Sequence, residues 1–322
     1  MVSNTDVVMA YRLLMGREPD NEQVVEQHAA RFRDWAELRT GFMESNEFRT
    51  IVNSSDRGSG PGVKPLSWPP AQVEVEIPPD QLQRMAERIE REFVYLGSRE
   101  PHWSVLTADR YKSANISEHE AEFFESGEEP VNELVMAAAR AGVDLSRYQN
   151  CFELGCGVGR LTIWLAARFR HVTGGDISAA HLEHARAAVA RADLNNVSFI
   201  LLNEIGLYQN LPPFDVFFSL IVLQHNPPPL MAHILEVVLN KLAPGGIAYF
   251  QIPTYLRDYG FSASAYLDSV APVGDVEVHC VPQPVLFEII ERTGCRVLEI
   301  REDAALGEPV ISNRLLLKKR GS

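Results

Sequence analysis

The sequence predicts an α/β protein, with a doubly wound, mostly parallel sheet, a closing antiparallel strand and a small helical unit in front. Three observations carry that prediction. From Pro130 onward, short apolar strands alternate with helical periodicities, the pattern of a parallel sheet wrapped by helices. The first of these strands runs straight into a glycine turn, Gly155-Cys156-Gly157-Val158-Gly159. Ahead of residue 81, a stretch rich in proline and glycine separates the alternation from a set of short amphipathic helices.

Composition narrows the function. The chain has 322 residues, 43 acidic against 30 basic, and a net charge of −13, long enough for two folded units or one large unit with appendages. That charge opposes a general role on nucleic acid or anionic membrane, because neutralising phosphates needs a basic face. The one basic run, Lys318-Lys319-Arg320, reads as a solvated tail. The longest apolar stretches, such as Phe214 to Leu223, fall short of the ~20 residues of a membrane span. The start, Met1 to Asp6, lacks the basic and apolar regions of an export signal. Four cysteines, Cys151, Cys156, Cys280 and Cys295, form no C-x-x-C pair and are too few for a disulfide framework. The expectation is a soluble, cytoplasmic protein with no nucleic-acid partner and no membrane insertion.

In chain order, residues 1–52 read as a small helical domain. Val7, Val8, Ala10, Tyr11, Leu13 and Leu14, then Val24, Val25, Phe32, Trp35, Leu38, Phe42 and Phe48, recur at helical spacing, broken near Gly16-Arg17-Glu18-Pro19-Asp20 and Gly41. Residues 53–80 carry nine glycines and prolines and read as an extended linker. Residues 81–129 read as a helical lid, with Leu82, Met85, Ile89, Phe93 and Leu96 on one face and a second helix over Glu118 to Phe124. In residues 130–322, strands are expected at Asn150–Leu154, His171–Gly175, Val197–Leu202, Asp215–Val222, Ile247–Ile252, Cys295–Arg301 and Val310–Leu317. Helices are expected at Leu134–Arg140, Arg160–Phe169, Ser178 to about Arg191, Pro229–Leu242 and Val285–Arg292, with a turn at Ala243-Pro244-Gly245-Gly246 and an irregular insertion at 253–281.

The chemistry sits at the first turn. Glycines in Glu153-Leu154-Gly155-Cys156-Gly157-Val158-Gly159-Arg160 let the backbone turn tightly and approach a ligand, while the following helix offers free N–H groups. A dinucleotide fingerprint wants its third glycine at 160, where this chain has Arg160, so the register disfavours NAD. Asp176, 17 residues after Gly159, ends the second strand where a carboxylate accepts hydrogen bonds from ribose hydroxyls. These features, with the Leu242-Ala243-Pro244-Gly245-Gly246 turn and the closing strands, make residues 130–322 resemble a class I S-adenosylmethionine-dependent methyltransferase with a Rossmann-like sheet. The resemblance implies S-adenosyl-L-methionine as cofactor, with Glu153 positioning its methionine end. It places Gly155, Cys156, Gly157, Gly159 and Arg160 along the cofactor, Asp176 on ribose and Ile177 on adenine. It also implies Asn203 or Glu204 at the adenine amine and Ser219 at the end of the fourth strand.

The acceptor side is carried by fewer residues. His225 follows the fourth strand, where the sulfonium is expected, and a neutral imidazole there is a candidate general base; the alternative is a packed or capping histidine. His279 is a second candidate, near the pocket mouth. Tyr255, Arg257 and Tyr259 in the insertion, and Trp103 and Tyr111 in the lid, are candidate substrate contacts. No metal is expected, because hard oxygen ligands are missing at the fourth strand and His181 and His184 read as a solvated helix face. Ala10 to Asp20, with Phe42-Met43-Glu44-Ser45-Asn46-Glu47-Phe48, resembles a small helical domain of unknown function found beside bacterial glycosyltransferases and methyltransferases. That company implies O-methylation of a sugar hydroxyl in a glycan or glycolipid precursor, and leaves room for a protein partner on the helices. The alternatives are a small-molecule or natural-product acceptor, methylated on O or N, and a cofactor-binding scaffold with little catalysis.

Overall fold

The computed structural model describes residues 2–15, 17–45, 69–270, 273–274, 276–307 and 309–321. The chain divides into two compact units, 1–66 and 67–322. In the first, α1 (Asn4–Ala10) opens with a capping box in which Ser3 and Asp6 satisfy each other's backbone N–H. It runs on as a π-helical turn, Tyr11–Met15. Asn21 caps α2 (Glu22–Arg31) and Asp34 caps α3 (Trp35–Met43). Val7, Tyr11, Val25, Leu38 and Phe42 form the buried centre, with Tyr11 edge-on to Phe42 at 4.9 Å. Phe48 and the linker up to residue 68 lie outside the described residues.

The second unit begins inside the expected linker. Strand β1 (Gln72–Val73) pairs in parallel with β7 (Gly260–Phe261), so the stretch from residue 69 to 78 belongs to the second unit and is not a free tether. Proline at the first turn then starts α4 (Pro79–Arg99). Helices α5 (Ile116–Glu125) and α6 (Glu128–Arg140) follow.

The main sheet contains β2 (Asn150–Leu154), β3 (His171–Asp176), β4 (Val197–Leu201), β5 (Phe214–Ser219), β6 (Leu242–Leu256), β8 (Cys295–Asp303) and β9 (Val310–Lys319). Their order is β4-β3-β2-β5-β6-β9-β8, with β9 antiparallel to both neighbours and the rest parallel. Between strands run α7 (Thr162–Ala166), α8 (Ala179–Arg191), α9 (Pro228–Lys241), α10 (Ala263–Asp268) and α11 (Gln283–Arg292). The central strands are apolar on both faces, as burial under two helical layers requires. Phe152, Phe217 and Phe250 fill one side; Val172, Val216, Phe218 and Tyr249 fill the other.

Among the boundaries that differ from expectation, two lie in the core of the sheet. The Ala243–Gly246 turn is absorbed into β6 as an irregularity, where pairing jumps from Phe214 with Leu242 to Val216 with Ile247. The fourth core strand, β5, stops at Ser219 instead of Val222, because Ile221 turns the chain with φ 60°. Sheet order reverses between β2 and β5, and in such sheets ligands bind outside the carboxyl ends of the strands at that point.

Candidate active site

At that reversal a cleft opens between the strand ends and the 79–111 segment. Its wall includes Glu153, Leu154, Gly155, Cys156, Gly157 and Arg160 from the first turn, and Asp176 and Ile177 from the second. Gly155 and Gly157 sit at φ 71° and 53°, a conformation that favours glycine. A Cβ at Gly155 would lie 2.3 Å from Val222, and one at Gly157 would lie 2.5 Å from Val105. The missing side chains therefore let Val222 and Val105 pack directly on the glycine backbone at the cleft wall. Gly159 is different: a Cβ there would lie 3.2 Å from Ala185 of α8, so it packs helix on turn and is not part of the cleft wall.

Asp176 is buried with both carboxylate oxygens in use. Oδ2 accepts from the Gly157 N–H at 2.8 Å, and Oδ1 accepts from the Ser178 N–H at 2.9 Å. Glu153 is also buried; Thr162 Oγ1 donates to it at 2.6 Å, while burial in apolar surroundings pushes its pKa up to about 7. Arg160 donates to Ser126 O at 3.0 Å, and its Nε is buried without a hydrogen-bond partner. The donor set suits an adenosyl amino acid: a carboxylate for the ribose, glycine backbone for close approach, and a carboxylate and a guanidinium for an amino acid's ammonium and carboxylate.

His225 stands at the other end, on the short helical turn Leu223–His225, partly open to the cleft. Its Nδ1 lies 2.9 Å from the Glu277 carbonyl, which only accepts, so Nδ1 carries the proton and Nε2 the lone pair. Gln224 Nε2 donates toward that lone pair at 3.2 Å. Burial lowers the His225 pKa to about 4, so the ring is neutral across the physiological range.

Several expected residues lie elsewhere. His279 is buried between the Tyr259 hydroxyl, 2.8 Å from Nδ1, and Glu277, 3.2 Å from Nε2, and does not line the cleft. Tyr259 is taken up by that bond, Tyr255 donates to Pro69 O at 2.6 Å, and Arg257 lies beside Asp258; none of the three lines the cleft. Tyr111 is core, edge-on to Phe123 at 5.1 Å. Trp103 is off the cleft wall, while its neighbours Ser104 and Val105 are on it. Ser219 ties β5 to β2 by donating to Leu154 O at 3.1 Å; Leu220, Ile221 and Val222 line the cleft instead. Asn203 points to Glu90 and Glu204 is exposed, and Leu202 and Tyr208 take the wall positions expected of them.

His181 reverses its expectation: it is 2% exposed, not on a solvated face, and Nδ1 is 3.2 Å from Asp176 Oδ1. Ile89, Phe93 and Ser104 are further wall residues that no local motif marks. Among the described residues, no three of His, Cys, Asp and Glu gather to hold a metal, and no helix is long and apolar enough to cross a membrane. The four cysteines are buried thiols.

The family described as "Methyltransferase domain" matches residues 152–246. Magnesium protoporphyrin IX methyltransferase from Synechocystis PCC 6803, solved with bound SAH, is 18% identical. The match covers 73% of this chain and 99% of that one, at a TM-score of 0.51. N-methyltransferase NodS from Bradyrhizobium japonicum WM9 is 20% identical over 61% of this chain and 97% of that one, with a TM-score of 0.43. No curated protein matches the chain's sequence. Residues 152–246 thus match a methyltransferase family, and the chain has the fold of a class I S-adenosylmethionine-dependent methyltransferase.

Proposed function

We propose that the enzyme methylates a hydroxyl group, with a sugar hydroxyl of a glycan or glycolipid precursor as the acceptor. The observation that carries this reading is His225: a neutral imidazole at the cleft whose Nδ1–H is held by Glu277 O, leaving Nε2 as its one basic atom. S-adenosylmethionine, when bound, supplies an electrophilic methyl group. His225 Nε2 takes the acceptor's proton, displacing the donation from Gln224, while Glu277 O holds the ring's orientation. A pKa near 4 keeps the base unprotonated but makes it weak, which places its contribution toward the low end of the ~10²–10⁴ typical of general bases. The larger share falls to holding the acceptor in place.

A small neighbouring pocket shares Ile89, Phe93 and His225 with the cleft and adds Arg88, Glu92, Tyr266 and Glu277. An aromatic edge beside several hydrogen-bonding side chains suits a hydroxyl-rich molecule, and the resemblance of the amino-terminal helices points the same way by association. The carboxylates of Glu92 and Glu277 favour a second reading, transfer to an amine. Incubation with radiolabelled cofactor and fractionated extract tests both readings, through the chemistry of the labelled product. Label in a methyl ether of a carbohydrate supports the first, and label in an N-methyl group the second. Cofactor binding with no transfer to any fraction would leave a scaffold. With an acceptor in hand, His225→Gln is expected to retain cofactor affinity and lose about 10²-fold in turnover. A loss below about threefold would remove His225 as the base.

A further inference from the structure

His181 occupies the first turn of α8, where Ser178 Oγ accepts its backbone N–H at 3.4 Å. Its ring is spanned at both ends. Asp176 can only accept, so the 3.2 Å contact puts a proton on His181 Nδ1 and aims it at Oδ1. At the other end, the Nε2 lone pair faces Ser104 Oγ at 2.8 Å, and the one hydroxyl proton there has two acceptors in reach, Nε2 and Pro101 O at 3.0 Å. Ser104 is buried and belongs to the segment whose next residue, Val105, covers the bare backbone of Gly157. Gly157 in turn donates its N–H to the same Asp176 carboxylate. The chain of contacts therefore closes on itself: glycine turn, Asp176, His181, Ser104, and back over the glycine turn through Val105. A histidine needed only to fill space would not connect two walls of one cleft by both nitrogens.

We propose that His181 is a positioning residue that fixes the Asp176 carboxylate for the cofactor's ribose and ties it through Ser104 to residues 101–106, so that cofactor binding and ordering of that segment over the glycine turn occur together. The inference rests on the assignment of Asp176 to the ribose. The two hydrogen bonds separate chemically. An asparagine at 181 places its amide nitrogen where Nδ1 is, keeping the bond to Asp176 and losing Ser104. A glutamine there places its nitrogen near the Nε2 position and leaves Asp176 without the side-chain donor.

The test is calorimetry with S-adenosylhomocysteine, together with hydrogen exchange of residues 101–106, with and without the ligand. The proteins are the full-length wild type, Asp176→Ala, His181→Gln, His181→Asn and Ser104→Ala. Asp176→Ala is expected to weaken binding at least tenfold, His181→Gln about tenfold, and His181→Asn less than threefold. In His181→Asn and Ser104→Ala, exchange of 101–106 should be about tenfold faster and no longer slowed by the ligand. Equal affinities for the Asn and Gln variants would overturn the inference, as would unchanged protection in Ser104→Ala, a variant small enough to leave the fold intact. Unchanged affinity in Asp176→Ala would instead overturn the ribose assignment beneath it.

Discussion

Glu153 and Asp176 are two buried carboxylates in one cleft with different electrostatic settings. Asp176 receives two backbone N–H bonds, and a carboxylate so held is a preformed acceptor. Glu153 has one hydroxyl donor and an apolar surround, which raises its pKa to about 7. It is therefore largely protonated at pH 6 and ionised at pH 8. If it meets the ammonium of the methionine end, cofactor affinity should rise as pH increases through 7. Replacement by Gln keeps the shape and removes the charge, so Glu153→Gln should bind equally at pH 6 and pH 8, near the weak limit of the wild type. Titrating S-adenosylhomocysteine at both pH values checks this. A pH dependence that survives in the variant would assign the effect to another group.

At the scale of elements, the turn after β5 decides what faces the cleft. Ile221 adopts φ 60°, a conformation that costs a β-branched residue about 1–2 kcal/mol, and its N–H is caught by Gln251 Oε1 at 3.1 Å. Gln251 is braced by donating to Ser312 Oγ of β9 at 2.6 Å. The closing antiparallel strand thus holds a strained turn beside His225. Gly and Ala at 221 both remove the side chain, but only Ala keeps the backbone penalty. Ile221→Gly should therefore be more stable than Ile221→Ala by about 1 kcal/mol in denaturant unfolding; equal stabilities would mean that the turn carries no strain. Such a turn is invisible in the sequence, because Leu220, Ile221 and Val222 continue the apolar character of β5 and simply look like more strand. The glycine turn and Asp176 were legible because their chemistry is local, a backbone conformation and a carboxylate at a strand end. His181 was not, because its partner Ser104 is 77 residues away and helical spacing alone cannot show what covers a helix face. The position of His279 off the cleft wall was hidden for a related reason, since nothing in residues 253–281 says on which side of Tyr259 the ring will lie.

For the whole molecule, burial of neutral histidines sets the response to acid. His102 and His225 both have pKa values lowered to about 4, chiefly by desolvation, against about 6.5 in an unfolded chain. Between those values the unfolded state binds more protons than the folded one. Their stabilising effect is therefore complete above pH 6.5 and is lost as pH falls toward 4. Glu153 acts in the opposite sense between about 4.5 and 7, because its carboxyl holds a proton in the folded state that an unfolded chain would release. Two rings outweigh one carboxyl, so thermal unfolding should show Tm falling from pH 6.5 to 4.5, whereas a flat Tm over that range would mean that these rings are solvated or leave the core cheaply. The alternation of strands and helices made the sheet readable from the sequence, and its reversal at β2 and β5 brought residues 153–160, 176–177 and 220–226 together. Contributions from the amino-terminal side, Ile89, Phe93 and Ser104, depend on how residues 79–111 fold over the strand ends, which no single stretch encodes. The central claim is that this shared cleft binds an adenosyl amino acid through Asp176. Its most direct test is calorimetric titration of the full chain with S-adenosylhomocysteine and, separately, NADH. The account predicts one S-adenosylhomocysteine site per chain, weakened at least tenfold in Asp176→Ala, and no heat from NADH; NADH binding, or an Asp176→Ala variant that binds S-adenosylhomocysteine as tightly as the wild type, would contradict it.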